Sequence, residues 1–247
     1  MQPSAAVKGF LRSARDTLNP LLRLGLGNVP RGRWPGLAMN VVGSGAPIMV
    51  GRGETVFICG VFQQSTVVDF ARTVGPRGRV VVVEANPKNA ARLQAAFLQP
   101  NVAVINRAVW NEDEELEFEF AEDSEAQHYN RVRDTTLQPF PTHMVEKHDT
   151  VRVLGERLTT TMDQLGITQV DHLNLTINGA ELAAFEGTQG EELARRVSRV
   201  YAHTEFPSPG GEFVSRLGDL GYGTRLSGKL NTLNPAIDLR RLYAWSS

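Results

Sequence analysis

The sequence predicts a doubly wound α/β protein built around a mostly parallel sheet. Four consecutive valines at 80–83 are too β-branched for a helix and too uniformly apolar for a half-exposed strand. They therefore predict a strand that is buried on both faces, as in a parallel sheet covered by helices. A second β-rich run at 54–60 precedes them, and a helical pattern that starts at Ser65 separates the two. Strand, helix and strand in this order form the unit from which nucleotide-binding sheets are built.

Glu84 ends the valine strand, and Asn86-Pro87 then predicts the start of a helix, because proline suits the first helical position. An acid at the carboxyl end of a central parallel strand is where such folds hold a ribose through its hydroxyls. Glu84 follows Gly60 by 24 residues, near the about 20 residues that are typical of a nucleotide-binding unit. The alternative is a solvated acid at a strand end. The dinucleotide fingerprint G-x-G-x-x-G is absent, since Gly60 stands alone.

The length, the net charge and the cysteine content of the chain limit the classes of function that it can have. The 247 residues fit one α/β domain with appendages, and 26 basic against 27 acidic side chains give a net charge of −1. No bulk charge therefore indicates nucleic-acid binding. The single cysteine, Cys59, excludes an internal disulfide and reads as a small buried hydrophobe. With no apolar run near ~20 residues and no evident secretory signal, the sequence predicts a soluble, cytoplasmic protein.

Two segments are expected to lie outside the sheet. Residues 1–50 are predicted to form a basic helical extension and a Gly/Pro-rich linker that leads into an α/β domain at 51–247. The helix could dock on an acidic surface or on membrane headgroups, or mediate a homo-oligomer. Packing against the domain is the favoured interpretation. The polar stretch 122–150, which carries His128, Tyr129, His143 and His148 in no zinc-ligand spacing, is either a substrate lid or a disordered loop.

The acidic stretch 112–125 ends in a strand-like alternation. Glu115, Glu117 and Glu119 alternate with apolar residues, which predicts a strand with one wet face. No histidine or asparagine joins these acids at a converging position, so a solvated edge strand is favoured over a metal site. No metal is predicted.

Several short motifs, in a fixed order, carry a family resemblance. They are VEANP at 83–87, NRAV at 106–109, TTMDQL at 160–165, NLTINGAE at 174–181 and a predicted helix end at 186–187. This sequence resembles the FkbM-type family of S-adenosylmethionine-dependent methyltransferases, whose corresponding motifs are V-x-E-P-N-P, N-x-A-V, T-T-L-D-x-L, K-I-D-V-E-G-A-E and K-G. Several weak motifs in one order are more specific than any of them alone.

The resemblance implies the seven-stranded, Rossmann-like methyltransferase sheet, with a last antiparallel strand at 240–245. It also implies S-adenosylmethionine as the cofactor, lying across the carboxyl ends of the first strands. The implied cofactor-binding residues are Cys59, Gly60 and Val61 at the methionine part, Glu84 and Ala85 at the ribose, Arg107 and Ala108 at the adenine, and Asn178 on the later strand. The implied reaction is O-methylation of a hydroxylated small molecule or a sugar.

A hydroxyl acceptor also needs a base. His203, in a predicted strand at 200–206, has an intrinsic pKa suited to that role, and Glu205 is the second candidate. Thr176 could position the acceptor. The alternative for His203 is an ordinary hydrogen-bonded strand residue.

The sequence also departs from the family pattern at positions that bear on its function. An acid of the first motif is replaced by Ile58 and its second glycine by Gln64, and two later acids are replaced by Thr176 and Asn178. Loss of these carboxylates argues against a magnesium-dependent mechanism. It also leaves open a second function, a catalytically inactive methyltransferase-fold protein that serves as a binding or assembly module. A nicotinamide oxidoreductase is a distant third, because the glycine fingerprint is missing.

Overall fold

The computed structural model describes residues 50–61, 64–121, 130–133, 148–227 and 238–246. The predicted N-terminal helix, nearly all of its linker, Phe62 and most of the polar insert 122–150 lie outside these residues.

Strands and helices of the described residues alternate in chain order, except for five consecutive strands between residues 102 and 156 and two after residue 221. The strands are β1 (Thr55–Cys59), β2 (Arg79–Val83), β3 (Val102–Ile105), β4 (Ala108–Val109), β5 (Glu115–Ala121), β6 (Arg131–Val132), β7 (His148–Glu156), β8 (His172–Leu175), β9 (Arg199–Phe206), β10 (Tyr222–Leu226) and β11 (Asp238–Ser246). The helices are α1 (Gln64–Val74), α2 (Pro87–Ala96), α3 (Leu158–Gln164), α4 (Gly187–Arg196) and α5 (Gly210–Asp219), with a short 3₁₀ helix at Ala183–Phe185.

The main sheet has seven strands in the order β10-β11-β9-β8-β1-β2-β3. From β9 to β3 every neighbouring pair is parallel, whereas β11 runs antiparallel to both β9 and β10. Helices α1 and α2 cover one face, and α3, α4 and α5 cover the other. The predicted seven-stranded, doubly wound sheet and its antiparallel last strand are therefore confirmed.

The valine strand β2 is buried on both faces. Val80 and Val82 pack with Phe70 of α1 on one face, while Val81 and Val83 belong to the core on the other. None of the four valines is more than 2% exposed. A strand with two buried faces has to be apolar at every position, which is the pattern that the sequence shows.

A second sheet, β4-β7-β5-β6, arises between β3 and α3. Here the prediction for β5 was wrong: it is not an edge strand, because β7 pairs with it along its length and β6 pairs with its second half. Its acids form ion pairs with arginines on these neighbours or directly after them, in the pairs Glu115–Arg152, Glu117–Arg133 and Glu119–Arg131. These partners lie 12 to 37 residues away along the chain, so the local pattern could not show them.

The segment after β8 also differs from the prediction. Gly187 does not end a helix; it begins α4, with a φ of 57°, after the short 3₁₀ helix. The apolar residues directly before Glu186 form the 3₁₀ helix at Ala183–Phe185 instead of a longer α-helix. Gly166, by contrast, does follow a helix, since it lies after α3 with a φ of 63°.

The turn after β1 is held against the end of β8. The Thr176 N–H donates to the Cys59 carbonyl, and its hydroxyl donates to the Gly60 carbonyl at 2.7 Å. Gly60 has a φ of 76°, and a Cβ at this position would lie 2.2 Å from the Thr176 carbonyl oxygen. Only glycine allows this turn to approach so closely.

Gly60→Ala should therefore destabilise the fold more than a left-handed backbone alone explains. Gly75→Ala is the matched control, because Gly75 has a φ of 68° and open space around its Cβ position. We expect a loss of about 1–2 kcal/mol in the control and at least about 2 kcal/mol more for Gly60→Ala, from overpacking. Urea unfolding of both variants measures the difference. Equal losses would show that the Thr176 contact is unimportant.

His172 lies fully buried at the start of β8. Its ring is 5.5 Å from that of Phe70, and neither ring nitrogen has a hydrogen-bond partner within the described part of the chain. Burial, with a smaller effect of the Arg199 charge, holds the pKa of His172 well below 6.5. The folded protein therefore keeps this imidazole neutral when the unfolded chain begins to take up a proton.

The stability that His172 contributes through this linkage should be complete above about pH 6.5 and decrease below it. The loss should approach ~1.4 kcal/mol per pH unit, because the unfolded state then binds one more proton. His172→Phe removes the titration and the two unpartnered nitrogens. Its free energy of unfolding should fall less than that of the wild type between pH 6.5 and 5.5. Parallel pH dependences in urea titrations of the two proteins would contradict this assignment.

Candidate functional site

The register of the sheet places four of the predicted site residues in one row. Cys59 pairs with Val83 on one side and with Leu175 on the other, and Leu175 pairs in turn with Ala202. The next residues of these four strands form the row, in the order Glu84, Gly60, Thr176 and His203. Because neighbouring strands lie ~4.8 Å apart, the row spans roughly 14 Å along the carboxyl edge of the parallel strands.

Glu84 is buried, with 6% of its surface exposed, and points into the protein. Its Oε2 accepts hydrogen bonds from the Val61 N–H at 3.0 Å and the Asn89 amide at 2.9 Å. Its Oε1 accepts from the Asn86 N–H at 2.9 Å. Burial raises the pKa of Glu84, and these three hydrogen bonds oppose that shift. A carboxylate offers about four acceptor positions, so one remains on Oε1.

Asn86 and Asn89 build the turn beneath this carboxylate. Asn86 caps α2, because its Oδ1 accepts from the N–H groups of Lys88 and Asn89, with Pro87 at the first helical position as predicted. The Asn89 amide donates both to Glu84 and to the Val61 carbonyl. Sequence reasoning missed Asn89. The one indication in the sequence was the position of Asn89 five residues after Glu84, in the first turn of α2.

The residues predicted to border adenine lie beside the second sheet. Ala85 and Ala108 contact one apolar cluster, whose other members are Leu116, Phe118, Phe120, Val132, Val151, Val153 and Trp110. Arg107 lies 3.5 Å from Glu156, measured from Nε to Oε1. The Asn106 amide donates to the carbonyls of Glu84 and Ala85. The second sheet thus forms a wall over the end of β2.

The loop after β8 contains a strained residue and a buried acid. Asn178 has a φ of 50°, and its amide donates at 2.7 Å to the carbonyl of Asn130, which attaches the described part of the insert to this loop. Glu181 is 1% exposed and accepts hydrogen bonds from the N–H groups of Ile177 and Gly179. Burial raises the pKa of Glu181 to about 7, and the nearby Glu205 charge adds to the shift. The sequence did not mark Glu181 as a site residue.

The two predicted bases differ in their surroundings. His203 Nε2 lies 2.7 Å from the Tyr201 hydroxyl, and burial together with Arg241 lowers the pKa of His203 to about 4. Burial raises the pKa of Glu205, and the charge of Arg131 on β6 partly offsets this. Arg131 also forms an ion pair with Glu119. Burial thus makes His203 a weaker base and Glu205 a stronger one than each is in water, and the effect of Arg131 places Glu205 near the second sheet.

A separate polar groove lies at the start of α4. It is lined by Asn111, Glu112, Asp113, Arg157, Glu186, Gly187, Thr188 and Gln189, none of which is a predicted site residue. Within the part of the chain that the structure describes, no group of three or more histidine, cysteine or acidic side chains is placed to hold a metal ion. The described helices include none that is both long and apolar enough to cross a bilayer.

Solved methyltransferase structures resemble this fold at low sequence identity. Fibrillarin from Aeropyrum pernix, solved with bound S-adenosyl-L-methionine, has 15% identity and a TM-score of 0.46, over 87% of this chain and 75% of that one. Precorrin-6y C5,15-methyltransferase from Geobacter metallireducens has 12% identity and a TM-score of 0.44, over 80% and 82%. A SAM-dependent O-methyltransferase from Thermotoga maritima has 11% identity and a TM-score of 0.44, over 91% and 69%.

No curated protein sequence matches this chain. A family profile does: that of the methyltransferase FkbM domain matches residues 44–222, which include every strand from β1 to β9. The matched region also contains the whole row from Glu84 to His203. The chain therefore belongs to the FkbM methyltransferase domain family.

Proposed function

We propose that this protein uses S-adenosylmethionine to methylate a hydroxyl oxygen of a small molecule or a sugar. The observation that carries the proposal is the row across the carboxyl edge. It combines a buried carboxylate, Glu84, with a close backbone turn at Gly60 and with polar side chains on the next two strands. Nucleotide-type ligands bind at this edge of open α/β sheets.

The residues present fit this cofactor. Glu84 has one acceptor position left on Oε1 for a ribose hydroxyl, and Ala85 and Ala108 offer small apolar surfaces for adenine. The turn at 59–61 would hold the methionine part, with Asn178 at the far side. When bound, S-adenosylmethionine supplies a methyl group that is already activated on a sulfonium sulfur. The chain then has to orient the acceptor and take up its proton.

Glu205 is the proposed proton acceptor. Its carboxylate has a raised pKa, so it binds a proton more readily than an exposed acid does. His203 is neutral near pH 7, but its pKa of about 4 makes it a weak base, and its Nε2 already contacts the Tyr201 hydroxyl. We assign His203 to hydrogen bonding with the acceptor. Thr176 holds the turn at Gly60 and so positions the methionine end.

One observation favours the second candidate, a non-catalytic binding or assembly module. The Glu84 carboxylate already accepts three hydrogen bonds from the protein, and Ala85 is in contact with apolar side chains of the second sheet. A protein that had lost its cofactor would fill the site in this way. Cofactor binding separates the two candidates directly.

Isothermal titration with S-adenosylhomocysteine should show binding to the wild-type protein. Glu84→Gln should weaken it ~10- to 100-fold, because a hydrogen bond to a charged group is worth roughly 1.5–3 kcal/mol. Asn89→Ala is the matched control: it loosens the same turn but keeps the carboxylate. We expect the control to lose no more than about threefold in affinity, which corresponds to about 0.6 kcal/mol, because it leaves the proposed ribose contact in place.

Absence of binding at millimolar ligand would remove the enzymatic proposal and leave the binding module. Equal losses of affinity in the two variants would mean that Glu84 acts only by shaping the turn. The proposed contact between Glu84 and the ribose would then be wrong.

Glu205→Gln should lower methyl transfer ~100-fold or more, which is the usual contribution of a general base. The assay uses S-adenosylmethionine with a radiolabelled methyl group and a panel of hydroxylated small molecules and sugars. Wild-type activity should fall as the pH drops through the raised pKa of Glu205, because only the ionised carboxylate accepts a proton. His203→Gln should keep that pH dependence. If His203→Gln abolishes it and Glu205→Gln does not, the two roles are reversed.

A further inference from the structure

Two neighbouring strands carry a polar cluster on one face of the main sheet. Tyr201 and His203 of β9 lie directly opposite Tyr243 and Arg241 of β11. Side chains two apart on a strand share a face, so the four lie together. The rings of Tyr201 and Tyr243 are 5.1 Å apart, and those of Tyr201 and His203 are 5.4 Å apart. His203 is also the last residue of the row at the carboxyl edge, so the cluster adjoins the proposed methyl-transfer site.

Arg241 is the charged member of this cluster, and none of the described carboxylates forms an ion pair with it. Its Nε is buried and has no hydrogen-bond partner among the described residues, while its side chain also forms a hydrogen bond with Tyr201. The preceding residue, Arg240, points to the opposite face and pairs with both carboxylate oxygens of Asp238, at 3.0 and 2.7 Å. Arg241 as a whole is only half-buried, so an anion from solvent can reach it. A guanidinium without a carboxylate partner favours such an anion.

The surroundings of Arg241 suit an anion. The charge of Arg241 helps to keep the His203 imidazole neutral, and the hydroxyls of Tyr201 and Tyr243 are neutral as well. No negative charge within the cluster therefore competes with an incoming anion. The nearest acid along β9 is Glu205, whose pKa reflects Arg131 and not Arg241. The cluster of Tyr201, His203, Arg241 and Tyr243 therefore carries a net charge of about +1 near pH 7.

We propose that this cluster binds the carboxylate or phosphate group of the acceptor, so that the substrate is an anionic hydroxylated compound. The inference rests on the proposed function, because it names the class of acceptor for that same edge of the sheet. Arg241 forms the charge-assisted hydrogen bonds to the oxyanion, and the ring of His203, which is also half-buried, adds a neutral one through Nδ1. Tyr201 and Tyr243 are core side chains, and the Tyr201 hydroxyl holds His203 in place through Nε2.

The test compares the full-length wild type with Arg241→Met and with Arg240→Met, the matched control on the other face. Inorganic phosphate and acetate are titrated in separately, at constant ionic strength set with chloride, and thermal unfolding midpoints are recorded. We expect one or both oxyanions to raise the midpoints of the wild type and of Arg240→Met, and at least a tenfold weaker response in Arg241→Met. The more effective ion indicates whether the acceptor carries a phosphate or a carboxylate. Equal responses in all three proteins, or none in the wild type, would overturn the proposal.

A second measurement covers the case in which Arg241→Met does not fold. The imidazole of His203 is titrated by NMR in the wild type, with and without saturating oxyanion. A bound anion beside the ring should raise its pKa, and an unchanged pKa would overturn the proposal. Titration with S-adenosylhomocysteine on the same samples separates the two hypotheses. If the oxyanion response depends on Arg241 but the cofactor does not bind, the anion site is supported and the proposed methyltransferase activity is wrong.

Discussion

The candidate site depends on the hydrogen bonds that Glu84 accepts. They join the turn after β1, through the Val61 N–H, to the start of α2, through Asn86 and Asn89. Two separate loops are thereby held at one edge of the sheet by a single buried carboxylate. A buried acid is stable only when donors compensate for the loss of water, and here three N–H groups do so. The same carboxylate is thus a structural joint and the proposed ribose ligand, which is why its substitution requires a control at Asn89.

A second constraint is the close packing of Gly60 on Thr176. In the family pattern this region of the later strand carries acids, whereas here a threonine hydroxyl donates to the Gly60 carbonyl. The replacement keeps the turn attached to β8 without adding negative charge. The acids near this edge of the sheet are Glu205 and Glu181, and Arg131 of the second sheet lies close enough to Glu205 to lower its pKa. The electrostatics of this edge therefore depend on the second sheet as well as on the main one.

Much of the fold follows from local patterns. The uniform valines of β2 required two covered faces, and Asn86-Pro87 marked the start of α2. The predictions failed where partners are distant in sequence. The acids of β5 suggested a solvated edge, yet arginines of β6 and β7 pair with them. Arg131, Asn89 and Glu181 were missed for the same reason, since each acquires its role through contacts with other elements.

The sequence by itself determined the first strand–helix–strand unit, the buried central strand and the identity of the polar residues at the strand ends. These features depend on neighbours two to four residues away, which a single chain displays directly. Only the tertiary structure decided that Glu84, Gly60, Thr176 and His203 form one row, because strand register is set by pairing between segments as far apart as β1 and β8. It also decided which charges are balanced. Arg240 and Arg241 are adjacent in sequence, but the alternation of a strand sends one to Asp238 and leaves the other without a carboxylate among the described residues.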